Sequence, residues 1–304
     1  MSAVRTSLTH RRPLSERLIE RLLFLAAAVG VVTTIGIIAV LAFQTVEFFL
    51  EISPIDFFTG TRWSALIKPQ AFGVLALVSG TLLVTVIALV IAIPLGLLAA
   101  TLLAEYATPR VRTVVKPILE TIAGVPTIVL GFFGLNFIAP QVLRPLLGAD
   151  NIGTFSALNG GIVVGILITP LIASISEDAM RAVPRGMREG AYAMGATKFE
   201  VIRKVVFPAG LSGIMASIIL AMSRAIGETM AVVLTVGTKP QFTFDPTESV
   251  QTMTAFIVQI SIGETAQGSL EFKSLFAVGA TLFAMTLGLN LLSGWVVRRF
   301  RTAY

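Results

Sequence analysis

Six apolar runs, each long enough to cross a bilayer as helix, follow one another along the 304 residues and leave little chain for anything else. A hydrocarbon core about 30 Å thick takes roughly 20 apolar residues in helix. Backbone polar groups cannot go unpaired in lipid, so only helices or closed barrels span it. The runs place spans at 22–46, 73–104, 117–139, 159–180, 210–236 and 273–297. The predicted fold class is an all-α integral membrane protein with six transmembrane helices. Charged residues make up 13% of the chain, about half of what soluble domains carry. The first run, Leu22–Phe43, follows Arg5, Arg11, Arg12, Arg17 and Arg21 as a signal peptide would. It exceeds a signal h-region, however, and no convincing small-residue cleavage site follows, so it reads as a membrane anchor. The second run is too long for one upright span and predicts a tilt or an interfacial piece.

Lysine and arginine set the orientation, because cytoplasmic loops retain them. The N-terminal tail, 105–116, 181–208 and the C-terminal tail hold seventeen between them, whereas 47–72, 140–158 and 237–273 hold five. Both termini are therefore expected in the cytoplasm. The net charge of +6 is spread between apolar blocks rather than along one face, which fits a basic membrane protein and not a nucleic-acid binder. There is no cysteine and one histidine, His10, in the polar N-terminal tail. Disulfide frameworks, thiolate metal sites and the common catalytic triads lack their parts.

The outer segments have more than one reading. Residues 47–72, with Pro54, Phe57-Phe58, Trp63 and Pro69, suit an interfacial lid or a short amphipathic helix, or else a plain connector. Residues 237–272, rich in Thr, Gln and Ser, suit a water-facing loop, although they are long for a connector. Pro94, Pro126 and Pro170 interrupt backbone hydrogen bonding within predicted spans, and broken helices line transport paths as well as ordinary bundles. Gly161 and Gly165 form a small-xxx-small pair that lets helices approach closely. Glu120 falls within an apolar run near its cytoplasmic end, and Glu177 and Asp178 read as ordinary interfacial charges.

Arg224 lies near the middle of the fifth predicted span, followed by Glu228. A mid-bilayer arginine costs about 2.5–3.5 kcal/mol even on insertion scales. Spacing of four predicts one helical face for the two, but base before acid is the poorer order for a stabilising pair. A role on a polar pathway explains them better. The planar guanidinium fork matches an oxyanion. A carboxylate beside it would accept a hydrogen bond from a protonated oxyanion, such as monohydrogen phosphate, or would simply orient Arg224.

The 181–208 loop is charged, yet patterned like two short helices around Gly195. Ala191, Met194, Val201, Val205 and Val206 give it an apolar surface that a solvated loop does not need, and Pro208 closes it. The pattern predicts a docking element for a cytoplasmic partner.

The same loop resembles the cytoplasmic motif of permease subunits of ATP-binding-cassette importers: Glu-Ala-Ala, three residues, Gly, nine residues, Ile-x-Leu-Pro. Here Glu189-Gly190-Ala191 leads to Gly195 and then to Val205-Val206-Phe207-Pro208, and the spacing matches throughout. Gly190, Val205 and Phe207 replace Ala, Ile and Leu. The resemblance implies a coupling helix seated in a groove of a separate ATPase. Arg224-Ala225-Ile226-Gly227-Glu228-Thr229-Met230-Ala231 is similar to the phosphate-importer form of a motif shared, as Arg-Ala-x-Gly-Glu, by sulfate and molybdate permeases. Lys116 to Glu120, Ala123 to Pro126, Gly131 to Phe133, Phe72-Gly73 and Gly80 to Leu82 resemble the C-type membrane subunit of phosphate importers, and the likeness covers about 15–301.

These likenesses imply a type I ABC importer permease architecture in a bacterial cytoplasmic (inner) membrane. Residues 1–72 would be tail, first transmembrane helix and periplasmic segment, and 73–304 the permease core carrying the coupling loop. The implied partners are a homologous sister permease, an ATPase dimer, a periplasmic or lipid-anchored phosphate-binding protein and membrane lipid. No cofactor is expected, and no Gly-x-x-x-x-Gly-Lys-Ser/Thr phosphate loop occurs, so ATP hydrolysis would belong to the partner. The other readings are a permease for sulfate, molybdate or phosphonate, and a self-contained channel or secondary transporter. A membrane enzyme lacks a catalytic constellation.

Overall fold

The computed structural model describes residues 14–148 and 150–300. Both chain termini, with His10, Arg5, Arg11 and Arg12, lie outside the described residues. Among those described, five helical stretches are long and apolar enough to cross a membrane: Leu18–Glu51, Leu75–Tyr106, Thr127–Leu147, Ala157–Arg181 and Leu270–Arg298. The sixth crossing is broken. It begins with Leu211–Ile226, which meets the preceding helical piece, Lys198–Ala209, at a 70° bend.

Helix α1 (Leu14–Glu51) runs 38 residues, about 57 Å at 1.5 Å per residue. No residue of its apolar window is buried within the chain, which is possible only with lipid or a partner as its solvent. It packs along α14 (Leu270–Phe300), where the Thr45 hydroxyl donates to the Phe276 carbonyl at 3.1 Å. The end of α1 is held more firmly. Phe48 is fully buried and meets Phe57 of α2 (Pro54–Thr59) and Phe72 edge-on at centroid distances of 5.6 and 5.4 Å. Strands β1 (Trp63–Ser64) and β2 (Ala71–Phe72) pair antiparallel, with Trp63 opposite Phe72. Segment 47–72 is thus not a plain connector but a folded aromatic cap that contains one short helix.

Helix α3 (Leu75–Thr101) continues as a π-helical turn, Leu102–Tyr106, and packs along α7 (Ala157–Arg181), the most buried span. Glycines permit the contact. A Cβ on Gly96 would sit 2.8 Å from the Ile172 Cβ, one on Gly165 3.1 Å from the Ala88 carbonyl oxygen, and one on Gly161 would collide with Ile87. The Gly161–Gly165 pair therefore serves as a contact stripe, as predicted. Pro94 and Pro170 sit inside continuous helices and break neither.

Two predicted spans need correction. The third does not begin at 117. Helix α4 (Pro109–Ala123), capped by Thr108, carries Arg110, Arg112 and Lys116 on an amphipathic surface and ends at Gly124. The crossing then begins with α5 (Thr127–Phe133), after Pro126, and continues through a π-helical stretch, Gly134–Leu143, into α6 (Arg144–Leu147). Ile118, Leu119, Ile122 and Val125 make the earlier window apolar on average, which hides the break that glycine and proline impose. Glu120 consequently lies exposed on α4, outside the span. The fifth span is not one helix over 210–236. Helix α11 (Leu211–Ile226) stops at Gly227, and α12 (Met230–Thr235) restarts after three residues.

Residues 237–272 are not wholly a water-facing loop either. Val250 to Phe256 are buried, and α13 (Met253–Ile262) packs Phe256 on Trp63 at 4.8 Å.

Candidate functional site

Arg224 stands in the last turn of α11, midway along the 211–235 passage, with its side chain exposed. The carbonyl end of a helix favours a cation there. Its side chain makes no hydrogen bond or ion pair among the described residues. Glu228 lies beyond the end of α11, so the two residues do not share a helical face as the spacing of four predicted. They flank a break instead. Glu228 is 8% exposed, and the only hydrogen bond of its carboxylate among the described residues is Oε1 accepting from the Ala231 N–H at 3.4 Å. No ion pair joins Arg224 to Glu228.

The break is closed from the side by the 250–256 segment. The Thr254 hydroxyl donates to the Glu228 carbonyl at 2.9 Å, and the Thr81 hydroxyl of α3 accepts from the Met253 N–H at 3.0 Å. Gly80 lets this strand of backbone approach, since a Cβ there would lie 2.6 Å from the Gln251 carbonyl oxygen. On the other side α12 rests on Gly131 of α5, where a Cβ would sit 3.1 Å from the Ala231 Cα. The result is an exposed guanidinium on one side of the break and a nearly buried, sparsely bonded carboxylate on the other. A guanidinium supplies planar donors and a carboxylate supplies acceptors. Gln251, Thr252 and Thr254 were not singled out from sequence. Their signal was weak, the polar cluster in a segment flanked by apolar residues.

The second constellation occupies the opposite end of α3 and α7 from the aromatic cap. Helix α8 (Arg185–Ala193) and α9 (Lys198–Val201) form the expected short pair, joined at Gly195 with φ +82. A π-helical turn, Ile202–Val206, and α10 (Phe207–Ala209) come next. Thr197 and Glu200 cap α9 reciprocally, and the Thr197 N–H, its hydroxyl and Lys204 hold the Glu200 carboxyl below its usual range. Glu189, Gly190, Gly195 and Pro208 are exposed. Ala191, Val205 and Phe207 turn instead toward a cluster containing Ala100, Met180, Val183, Val201, Val206 and Ile214. The apolar surface expected for docking is thus divided: Val201 and Val206 are buried and hold the pair to the bundle, while Met194, 88% exposed, points outward with Phe199 and Tyr192.

Sequence reasoning missed two polar hubs beside this pair. Glu177 is fully buried, not interfacial, and lies 2.7 Å from Arg112 Nε, 2.9 Å from Lys116 Nζ and 3.6 Å from Arg181. Burial pulls the Lys116 pKa down, but hydrogen bonds to Asp178 and Glu177 outweigh it and hold the ammonium above its usual range. The hub fastens α4 to α7. Arg188 bonds Glu105 at 3.0 Å and the Met180 carbonyl at 2.7 Å. Neither carboxylate shows in a hydropathy profile as more than a charge at the end of an apolar run.

Among the described residues no group of His, Cys, Asp and Glu is arranged to hold a metal.

Residues 92–302 match the model of the binding-protein-dependent transport system inner membrane component family. The chain is 34% identical to the probable ABC transporter permease protein YqgH of Bacillus subtilis, over 87% of this chain and 83% of that one. It is 32% identical to the phosphate transport system permease protein PstC of Mesorhizobium japonicum, over 90% of this chain and 88% of that protein. Among solved structures, a chain of a bacterial alginate ABC transporter in complex with an alginate-bound periplasmic protein superposes with a TM-score of 0.64 at 15% identity, covering 95% of this chain and 99% of that one. A chain of the MetNI methionine ABC transporter gives 0.55 at 19% identity, covering 75% and 94%. At these identities the structures speak for the fold.

Proposed function

The chain belongs to the family of binding-protein-dependent transport system inner membrane components, and from that premise we propose that it is the permease subunit of an ATP-driven phosphate importer. It is a transport subunit of the bacterial cytoplasmic membrane, not an enzyme. The observation that carries the substrate is the likeness to phosphate transport permeases along nearly the whole chain. Residues 73–304 form the importer core, residues 1–72 a tail, the first transmembrane helix and the periplasmic cap, and both termini face the cytoplasm.

The protein supplies half of an alternating-access pathway, and a homologous sister permease supplies the other half. The exposed apolar side chains of Val129, Phe132, Phe133, Phe137 and Met230 around the broken span support such pairing. A separate ATPase dimer seats on α8 and on the outward Met194, Tyr192 and Phe199. A periplasmic or lipid-anchored phosphate-binding protein delivers the anion at the aromatic-cap end.

At the break, Arg224 donates to phosphate oxygens through its planar fork. Glu228 accepts the hydroxyl proton of monohydrogen phosphate in a hydrogen bond. The missing Arg224–Glu228 pair supports this division of labour, because a carboxylate serving only to balance Arg224 would be expected to touch it.

Uptake of labelled phosphate, sulfate, molybdate and phosphonate by a deletion strain carrying the complete importer tests the reading. ATP-dependent phosphate uptake is expected. Uptake of a different oxyanion without phosphate would reassign the substrate, and uptake without the ATPase would make the protein a channel or secondary transporter.

A further inference from the structure

Helix α8 has little apolar hold on the membrane helices. Ala191 is its one residue in the cluster at the ends of α3 and α7. Its lateral tie is polar. Arg188, 16% exposed, directs its guanidinium into three segments at once. Nε and an Nη atom donate to Glu105 Oε1 at 3.3 and 3.0 Å, in the π-helical end of α3. The same Nη atom donates to the Met180 carbonyl in the last turn of α7 at 2.7 Å, and the other donates to the Val183 carbonyl just beyond it. Terminal carbonyls of a helix have no intrahelical partner and take a cation well. Glu105 is 7% exposed and has no other side-chain partner among the described residues.

We infer that Arg188 is the positioning residue that locks the docking helix to both α3 and α7, so that a displacement of α8 reaches two membrane helices together. The inference rests on the importer reading and adds to it the residue through which movement passes. It stands apart from the docking face: Glu189, Met194 and Phe199 point outward, whereas Arg188 points into the bundle. Only arginine fits, because its rigid fork serves a carboxylate and two carbonyls at once, while lysine offers a compact point charge on a flexible stem.

The test uses the assembled importer, purified with its ATPase and sister permease and reconstituted in vesicles with the binding protein. Phosphate transported per ATP hydrolysed is the first readout. The second is the mobility of a spin label on Gly186→Cys, at the exposed start of α8 and away from the outward Met194, Tyr192 and Phe199, with the partner subunits made cysteine-free because this chain has no cysteine of its own. Arg188→Gln should lower transport per ATP by about ten-fold, the scale of one charge-assisted hydrogen bond, and should loosen the label. Arg188→Lys should fall between. Glu105→Gln spares the carbonyl contacts and should show a smaller loss of the same kind. The exchange Glu105→Arg with Arg188→Glu should not restore coupling, since glutamate cannot donate to the Met180 and Val183 carbonyls. Wild-type transport per ATP in Arg188→Gln, or a lower yield of complex with an unchanged ratio and label, would overturn the inference. If Arg188→Gln does not assemble, Arg188→Lys and Glu105→Gln decide it by the same readouts. A wild-type complex with no ATP-driven phosphate uptake would overturn the importer reading instead.

Discussion

The Thr254 hydroxyl donates to the Glu228 carbonyl at 2.9 Å, so a residue well beyond the fifth crossing satisfies backbone that the break in that crossing exposes. The bond is buried at both ends, with Thr254 5% and Glu228 8% exposed. Thr254→Val keeps the shape and removes the donor, which should cost about 1 kcal/mol or somewhat more through the unsatisfied carbonyl. A lowered melting temperature in detergent and slower uptake are expected, with Thr254→Ser near wild type. Wild-type values for both in Thr254→Val would show that water replaces the hydroxyl.

Arg224→Gln should reduce initial phosphate uptake at least about ten-fold in correctly assembled complex, because glutamine keeps donors but loses the charge and the fork. Arg224→Lys should recover part of the rate. Since no ion pair joins the two residues, Glu228→Gln should act through its own contacts. Glutamine retains an acceptor, so a mild loss is expected, and a loss as severe as that of Arg224→Gln would point to charge balance. Unchanged uptake in Arg224→Gln would remove Arg224 from the pathway.

Gly195 holds φ +82 with nothing within 4 Å of where a Cβ would stand. Space is therefore not limiting there, but conformation is. Gly195→Val should cost about 1–2 kcal/mol of local backbone strain, releasing the α8–α9 turn and weakening copurification with the ATPase. Gly195→Asn should be tolerated, since asparagine visits this region at lower cost. Equal ATPase recovery for the valine variant and wild type would exclude this turn from docking.

Glu177→Gln leaves Arg112 and Lys116 facing a neutral, fully buried amide. Breaking a buried ion pair costs about 3–5 kcal/mol, and the lower end applies because the cations are 29% and 22% exposed. Asp178, 63% exposed, should matter far less when changed to Asn. Thermal unfolding of the two variants side by side checks the ranking, and equal stability would show that the Glu177 hub does not hold α4 to α7.

Orientation is read by labelling. The natural chain has no cysteine, so Ser2→Cys, Ala303→Cys and Asp245→Cys each create a unique site. An impermeant maleimide applied to intact cells should label position 245 and spare 2 and 303. Labelling of either terminal site from outside would invert the topology.

Membrane residence, the number of crossings and the coupling-loop pattern were legible because each depends on local composition. Long apolar runs need lipid, and Gly195 between short amphipathic pieces needs a turn. The start of the third crossing was not legible. A hydropathy window that averages Ile118 to Val125 with the apolar residues of α5 cannot see that Gly124 and Pro126 end one helix and start another. The Arg224–Glu228 geometry failed for a related reason. Spacing of four implies one face only where the helix continues, and this one stops at Ile226.

By itself the sequence determined that the chain resides in a membrane as helices and that the 181–208 loop holds a short helical pair turning at Gly195, because hydropathy and local turn chemistry act residue by residue. Tertiary structure alone decided what the charges do. Glu177 becomes a buried hub, Arg188 a tie to Glu105 and two carbonyls, and Glu228 the edge of a break closed by Thr254. Each needs partners that lie far apart in the chain or on different elements, and their contacts exist only once α3, α4, α7 and the 250–256 segment have packed.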